Sequence, residues 1–184
     1  MKRIAILGLV VTLLLMAMAA PVMAKSTTVQ VWWLEDAERY GGDGTWLQSW
    51  VDGRIPDPED APVESIEFIK TGKAYHAGME LFYNYYPLDD FVASPLVIAN
   101  GKFAAWARYT SPASGLPILD KIRGRLTIDD GTAYGSYVQY SYVEGVTDEE
   151  TVTSSYPNAV ATDEPDVWLI GITYYTVHGQ TPTP

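Results

Sequence analysis

The chain has 184 residues, no cysteine, 12 Lys and Arg against 23 Asp and Glu, and a formal charge of −11. Without thiols it has no disulfide and no thiolate metal ligand, so packing alone must hold the fold. The acid excess argues against nucleic acid or an anionic membrane as partner, because both carry the same sign of charge.

The first 24 residues read as a secretory signal peptide. Lys2 and Arg3 precede an uncharged run from Ile4 to Ala20, and Val22 and Ala24 fit the small-residue positions of a cleavage site before Lys25. That run, about 17 residues, stands at the lower edge for crossing a bilayer, and no later stretch is long and apolar enough to do so as a helix. The expected product is secreted and extracytoplasmic, either periplasmic or at the cell surface. Removing Lys2 and Arg3 takes the charge from −11 to −13. Residues 25–179 are expected to form one domain, which is enough chain for a real core. Residues 180–184, Gln-Thr-Pro-Thr-Pro, read as a flexible tail.

Short runs rich in Tyr, Val, Thr and Trp, separated by Gly, Pro, Asn and Asp, predict about eight strands. In chain order they are Thr27–Leu34, Glu64–Lys70, Met79–Tyr86, Phe91–Ala99, Lys102–Thr110, Ile122–Ile128, Thr132–Val143 and Val167–His178. A short helix is expected over Thr45–Val51, capped by Asp43, with Trp46 and Trp50 on one face. The longer connections are Glu35–Gly44, Asp52–Val63, Ser111–Lys121 and Gly145–Pro165.

Two turns are specific. Asn100-Gly101 separates two apolar runs and suits a type I′ turn, in which both central residues need positive φ. A two-residue loop there sets Ala99 opposite Lys102, Ile98 opposite Phe103 and Leu96 opposite Ala105. Asp129-Asp130-Gly131 marks a second hairpin. Successive hairpins without intervening helices imply an all-β, antiparallel fold that must cover its own apolar face. A jelly-roll-like β-sandwich of about eight strands is favoured, and a closed β-barrel is the alternative.

The functional signals are weaker. Six tryptophans and 13 tyrosines suit a face on which sugar rings stack, while cross-strand packing explains the same composition. Alternation singles out three pairs as an exposed platform: Trp106 with Arg108, Tyr137 with Gln139, and Asn84 with Tyr86. It assigns Trp168, Ile170, Ile172 and Tyr174 to one core face. Acidic clusters at Glu35-Asp36, Asp57–Asp60, Asp89-Asp90, Asp129-Asp130 and Asp163-Glu164 leave room for a structural calcium, although none has the spaced loop pattern. Otherwise no cofactor is implied. The two histidines, His76 and His178, make no zinc spacing, and no nucleophile motif or phosphate loop occurs. The expected function is that of a secreted, non-catalytic, carbohydrate-binding domain that recognises glycan or cell-envelope polymer through exposed aromatics. The alternatives are a structural or adhesive protein that self-associates or binds a cell-surface protein, a small outer-membrane β-barrel, and a glycoside-processing enzyme using paired carboxylates.

Overall fold

The computed structural model describes residues 25–51, 64–77 and 90–179. Among these residues there are 11 strands in one sheet. They are β1 (Ser26–Gly41), β2 (Trp46–Trp50), β3 (Glu64–Thr71), β4 (Ala74–Ala77), β5 (Val92–Ala93), β6 (Leu96–Ala99), β7 (Lys102–Thr110), β8 (Pro117–Asp129), β9 (Thr132–Glu144), β10 (Val160–Ala161) and β11 (Val167–His178). A helix, α1 (Glu149–Ser155), lies between β9 and β10. The all-β antiparallel class expected from the sequence is the one the chain adopts.

The pairing path closes on itself. It runs β1-β3-β4-β6-β7-β8-β9-β11, and β11 returns to β1 from Leu34↔His178 to Gly41↔Gly171, giving a ring of 8 strands. The length of β1 makes this closure: its first half, Ser26–Trp33, pairs β3, and its second half pairs β11. β2 lies beside the second half of β1, β5 beside β7, and β10 beside β11.

The strands alternate inward and outward residues, and every ring strand contributes to one buried cluster. Val31, Phe68, Ala77, Ile98, Phe103, Leu126, Ala133 and Val177 represent the eight strands in turn. An eight-stranded ring is about the size at which inward side chains fill the interior. A smaller cluster of Ile118, Val143, Val152 and Ile170 seats α1 against the ends of β8, β9 and β11.

The two hairpin turns are as expected. Asn100 and Gly101 have φ of 52° and 72°, and Asp130 and Gly131 have 46° and 78°. Ala99 pairs Lys102 and Asp129 pairs Thr132. β6 and β7 pair only at that point, so the expected Ile98–Phe103 and Leu96–Ala105 pairs are not in the ladder; Ile98 and Leu96 pair Tyr75 and Ala77 of β4 instead. Leu96, Ile98, Phe103 and Ala105 are all buried, so the hairpin's apolar face is core.

Other expectations change. Thr45–Val51 is not a helix: Trp46–Trp50 forms β2 against β1. Seven residues of helix gain only a few tenths of a kcal/mol from a Trp–Trp contact at i, i+4, whereas the strand completes a ladder. The helix among the described residues is α1, inside a connection read as loop, capped where the Asp148 carboxylate accepts from Thr151 N at 3.0 Å. β1 and β8 extend through segments read as connections, and β4 fills a gap. The strand expected over 91–99 is broken at Ser94-Pro95, where proline has no N–H to donate. On β11 a bulge between Leu169 and Gly171 reverses the alternation, so Tyr174, expected in the core with Ile170, is 51% exposed. The expected signal peptide, the strand over 79–86 and the tail lie outside the described residues.

Candidate functional site

β9 has one residue set facing into the ring and another facing out, and each builds a different site. The inner set contains Tyr137 and Gln139. Tyr137 stacks on Tyr175 with ring centroids 4.3 Å apart and an interplanar angle of 11°. Its hydroxyl donates to Glu35 Oε2 at 2.6 Å, and Trp33 Nε1 donates to the same oxygen at 2.9 Å. Burial, and then the Glu35 charge, push the Tyr137 hydroxyl well above its ordinary pKa. Gly124 faces Tyr137 across the β8–β9 ladder, and a Cβ there would stand 2.3 Å from Tyr137 Cβ. The missing side chain is what admits the tyrosine.

Deeper along the same inner face, Asp120 is 4% exposed. Tyr109 donates its hydroxyl to Asp120 Oδ2 at 3.1 Å, while Oδ1 has no hydrogen-bond partner. Burial is the main cause of a raised carboxyl pKa, against bonds from Ser141, Tyr109 and Gln139 and the charge of Arg39. Gln139 Nε2 donates to Ser141 Oγ at 3.3 Å, and Gln139 Oε1 accepts from Tyr175 at 3.4 Å. The expectation of an exposed Tyr137–Gln139 platform is therefore overturned. Both residues occupy inward positions of a two-residue period that the ring sets, and they help to knit the polar part of its interior.

The outer set makes a groove. Trp106 and Arg108 project from β7, Lys121 and Arg123 from β8, and Tyr140 and Tyr142 from β9, around a concavity of about 580 Å³ with Ala104 on its floor. The ladders hold these side chains in three rows, Arg123 standing between Ala104 and Val138 in one of them. Trp106 pairs Lys121, which pairs Tyr140; Arg108 pairs Leu119, which pairs Tyr142. Cations sit over three rings: Arg108 is 5.1 Å from the Trp106 centroid, Lys121 is 5.1 Å from Tyr142, and Arg123 is 5.3 Å from Tyr140. Arg123 Nη2 also donates to the Tyr140 hydroxyl at 3.3 Å. Arg108 Nε donates to Glu144 at 2.9 Å, and that bond raises the guanidinium pKa further. Trp106 is half-buried, Arg108 is exposed, and both open onto this groove.

Of the six residues picked from sequence, Trp106 and Arg108 come together in the groove, and Asn84 and Tyr86 lie outside the described residues. Lys121, Arg123, Tyr140 and Tyr142 were missed. Their signal is present as Lys121-x-Arg123-x-Arg125 and Tyr140-x-Tyr142 at strand spacing, but Lys121 falls in the expected connection Ser111–Lys121, which in the fold is part of β8 from Pro117 onward. The acidic cluster around Glu35 disperses: Glu35 bonds inside the ring, Asp36 pairs His178 Nε2 at 2.8 Å, and Glu38 accepts from Tyr40 at 3.0 Å. Among the described residues no three His, Asp or Glu side chains gather as a metal cage.

No family model matches this chain, and no curated protein or solved structure resembles it closely enough to lend it a function.

Proposed function

We propose that the chain is an exported, non-catalytic binding domain that takes a sugar polymer on the outer face of β7, β8 and β9. One observation carries the reading: three aromatic rings, each with its own cation at about 5 Å, are set in ladder register around one groove. Pyranose rings have apolar faces that stack on Trp and Tyr, while guanidinium and ammonium groups donate to their oxygens. The three β strands hold the rings in fixed relation, so little side-chain freedom is lost on binding. The leader-like sequence of residues 1–24 fits a protein that meets such polymers outside the cytoplasm.

The alternatives fit less well. A ring spanning an outer membrane is apolar outside and polar inside, yet the outward positions here include Glu67, Lys121, Arg123 and Arg125, and the interior is largely aliphatic. A glycosidase needs two carboxyls open to substrate, and Asp120 is closed inside the ring.

The test is a tryptophan-fluorescence titration of the exported form, Lys25 onward, with a set of soluble polysaccharides. A saturable change that Trp106→Ala or Tyr142→Ala weakens at least tenfold supports the reading. A flat response to every polysaccharide removes it.

A further inference from the structure

We infer that the polymer bound on this face is a polyuronate, a polysaccharide whose carboxylates meet a line of cations. The inference rests on the sugar-polymer reading above and names the ligand class it leaves open.

The cations form the first line of argument. Lys102, Arg108, Lys121, Arg123 and Arg125 all occupy outward positions on two adjacent strands, in a chain with only 12 Lys and Arg against 23 acids. Among the described residues, Arg108 alone of these five has an acidic partner, Glu144. Lys102 stands directly opposite Arg125 in the β7–β8 ladder. Like charges in that position destabilise a strand pair. A chain rich in acid had many ways to avoid the arrangement, and an anion bridging the two would offset its cost.

The shape of the surface is the second. A further concavity of about 720 Å³ adjoins the groove through Arg123 and is lined by Lys102, Arg125 and the exposed Tyr174. The two together make an extended track across β7, β8, β9 and β11. Along β8, Lys121, Arg123 and Arg125 follow one another at about 7 Å, two residues of strand.

The pattern favours a uronate over a more densely charged polymer. A polyuronate carries one planar carboxylate per sugar, with apolar ring faces between, which matches alternating cations and aromatics. Arginine's fork donates two parallel hydrogen bonds to a carboxylate. A nucleic acid duplex presents a charge about every 1.7 Å of its axis, far denser than the cation spacing of about 7 Å along β8.

The experiment measures affinity of the exported protein for polygalacturonate, polymannuronate and polyglucuronate, each beside its methyl ester, with neutral glucans and a single-stranded oligonucleotide for comparison. Binding to at least one free acid is expected, at least tenfold weaker for its ester, and falling roughly tenfold between 50 and 200 mM salt. Arg123→Gln and Arg125→Gln should each weaken binding about fivefold or more. Arg125→Glu, which gives Lys102 an opposite charge, should abolish binding and raise the melting temperature. Equal affinity for acid and ester, or binding to neutral glucans alone, overturns the polyuronate inference and leaves the sugar reading standing. Binding to no polysaccharide removes both. Tighter binding of the oligonucleotide than of any uronate also overturns the inference.

Discussion

Tyr137 and Tyr140 lie three residues apart on β9, and their partners differ in kind. Tyr137 faces inward, stacked on Tyr175 and bonded to Glu35, its pKa pushed up by burial. Tyr140 faces outward, its ring beneath Arg123 and its hydroxyl accepting from the same guanidinium. Inside, the polar groups are mostly bonded to one another, as burial requires. Outside, apart from the exposed Arg108–Glu144 pair, rings and cations meet each other and solvent, so their ordering adds little to stability and leaves their faces open. The comparison separates side chains that hold the fold from those left to recognise something else.

The largest effect should come from the inner face. Phe68 is fully buried and meets Tyr75 edge-on. Phe68→Ala should cost about 3–5 kcal/mol in denaturant unfolding, with ligand affinity of the folded fraction unchanged. Tyr137→Phe should follow, at about 1–3 kcal/mol, because it removes the bond that the buried Tyr137 hydroxyl donates to Glu35 at 2.6 Å. A loss below about 0.5 kcal/mol would show that the inner network does not hold the ring.

Asp120 gives a pH-dependent effect. Its carboxyl pKa is raised in the folded state, so the fold favours the protonated form. The resulting stabilisation is present in full below the ordinary unfolded value of about 3.9 and is lost as pH rises through the higher folded value. Asp43, Asp90 and Asp148 are held low by hydrogen bonds to Thr45, Thr110 and Thr151 and act in the opposite sense, losing stability as pH falls. The informative measurement is therefore the difference in melting temperature between the protein and Asp120→Asn from pH 3 to 8. It should move in the variant's favour as pH rises; a difference that stays constant would contradict a buried, protonation-linked carboxyl.

The outer face should respond weakly in stability and strongly in binding. Trp106 is half-buried, so Trp106→Ala should cost about 1–2 kcal/mol, well under the ~3–5 kcal/mol of a core tryptophan. A larger loss would place Trp106 among the residues that hold the fold. Smallest of all, Arg108→Gln removes an exposed pair with Glu144 and should change unfolding by less than about 1 kcal/mol.

The fold was legible where local chemistry is decisive. Asn100-Gly101 and Asp130-Gly131 demand positive φ at both positions, and the closing pairs Ala99–Lys102 and Asp129–Thr132 follow from that. It was illegible where a distant partner decides. Whether 35–41 continues a strand depends on β11, well over a hundred residues away, which supplies the ladder. The site was half legible for the same reason. Trp106 and Arg108 share a face by simple alternation, but Tyr140 joins Trp106 only through Lys121 on an intervening strand.

By itself the sequence determined that this chain makes antiparallel strands, where two of its tight turns fall, and that Leu96, Ile98, Phe103 and Ala105 share one apolar face. Period-two alternation sorts each strand into two faces but does not say which is inside, and a single bulge, as at Leu169–Gly171, exchanges them. Closure of the ring made that choice. It turned Tyr137 and Gln139 inward, Tyr174 outward, and drew Trp106, Arg108, Lys121, Arg123, Tyr140 and Tyr142 onto one surface, because only neighbouring strands decide which side of a strand water reaches.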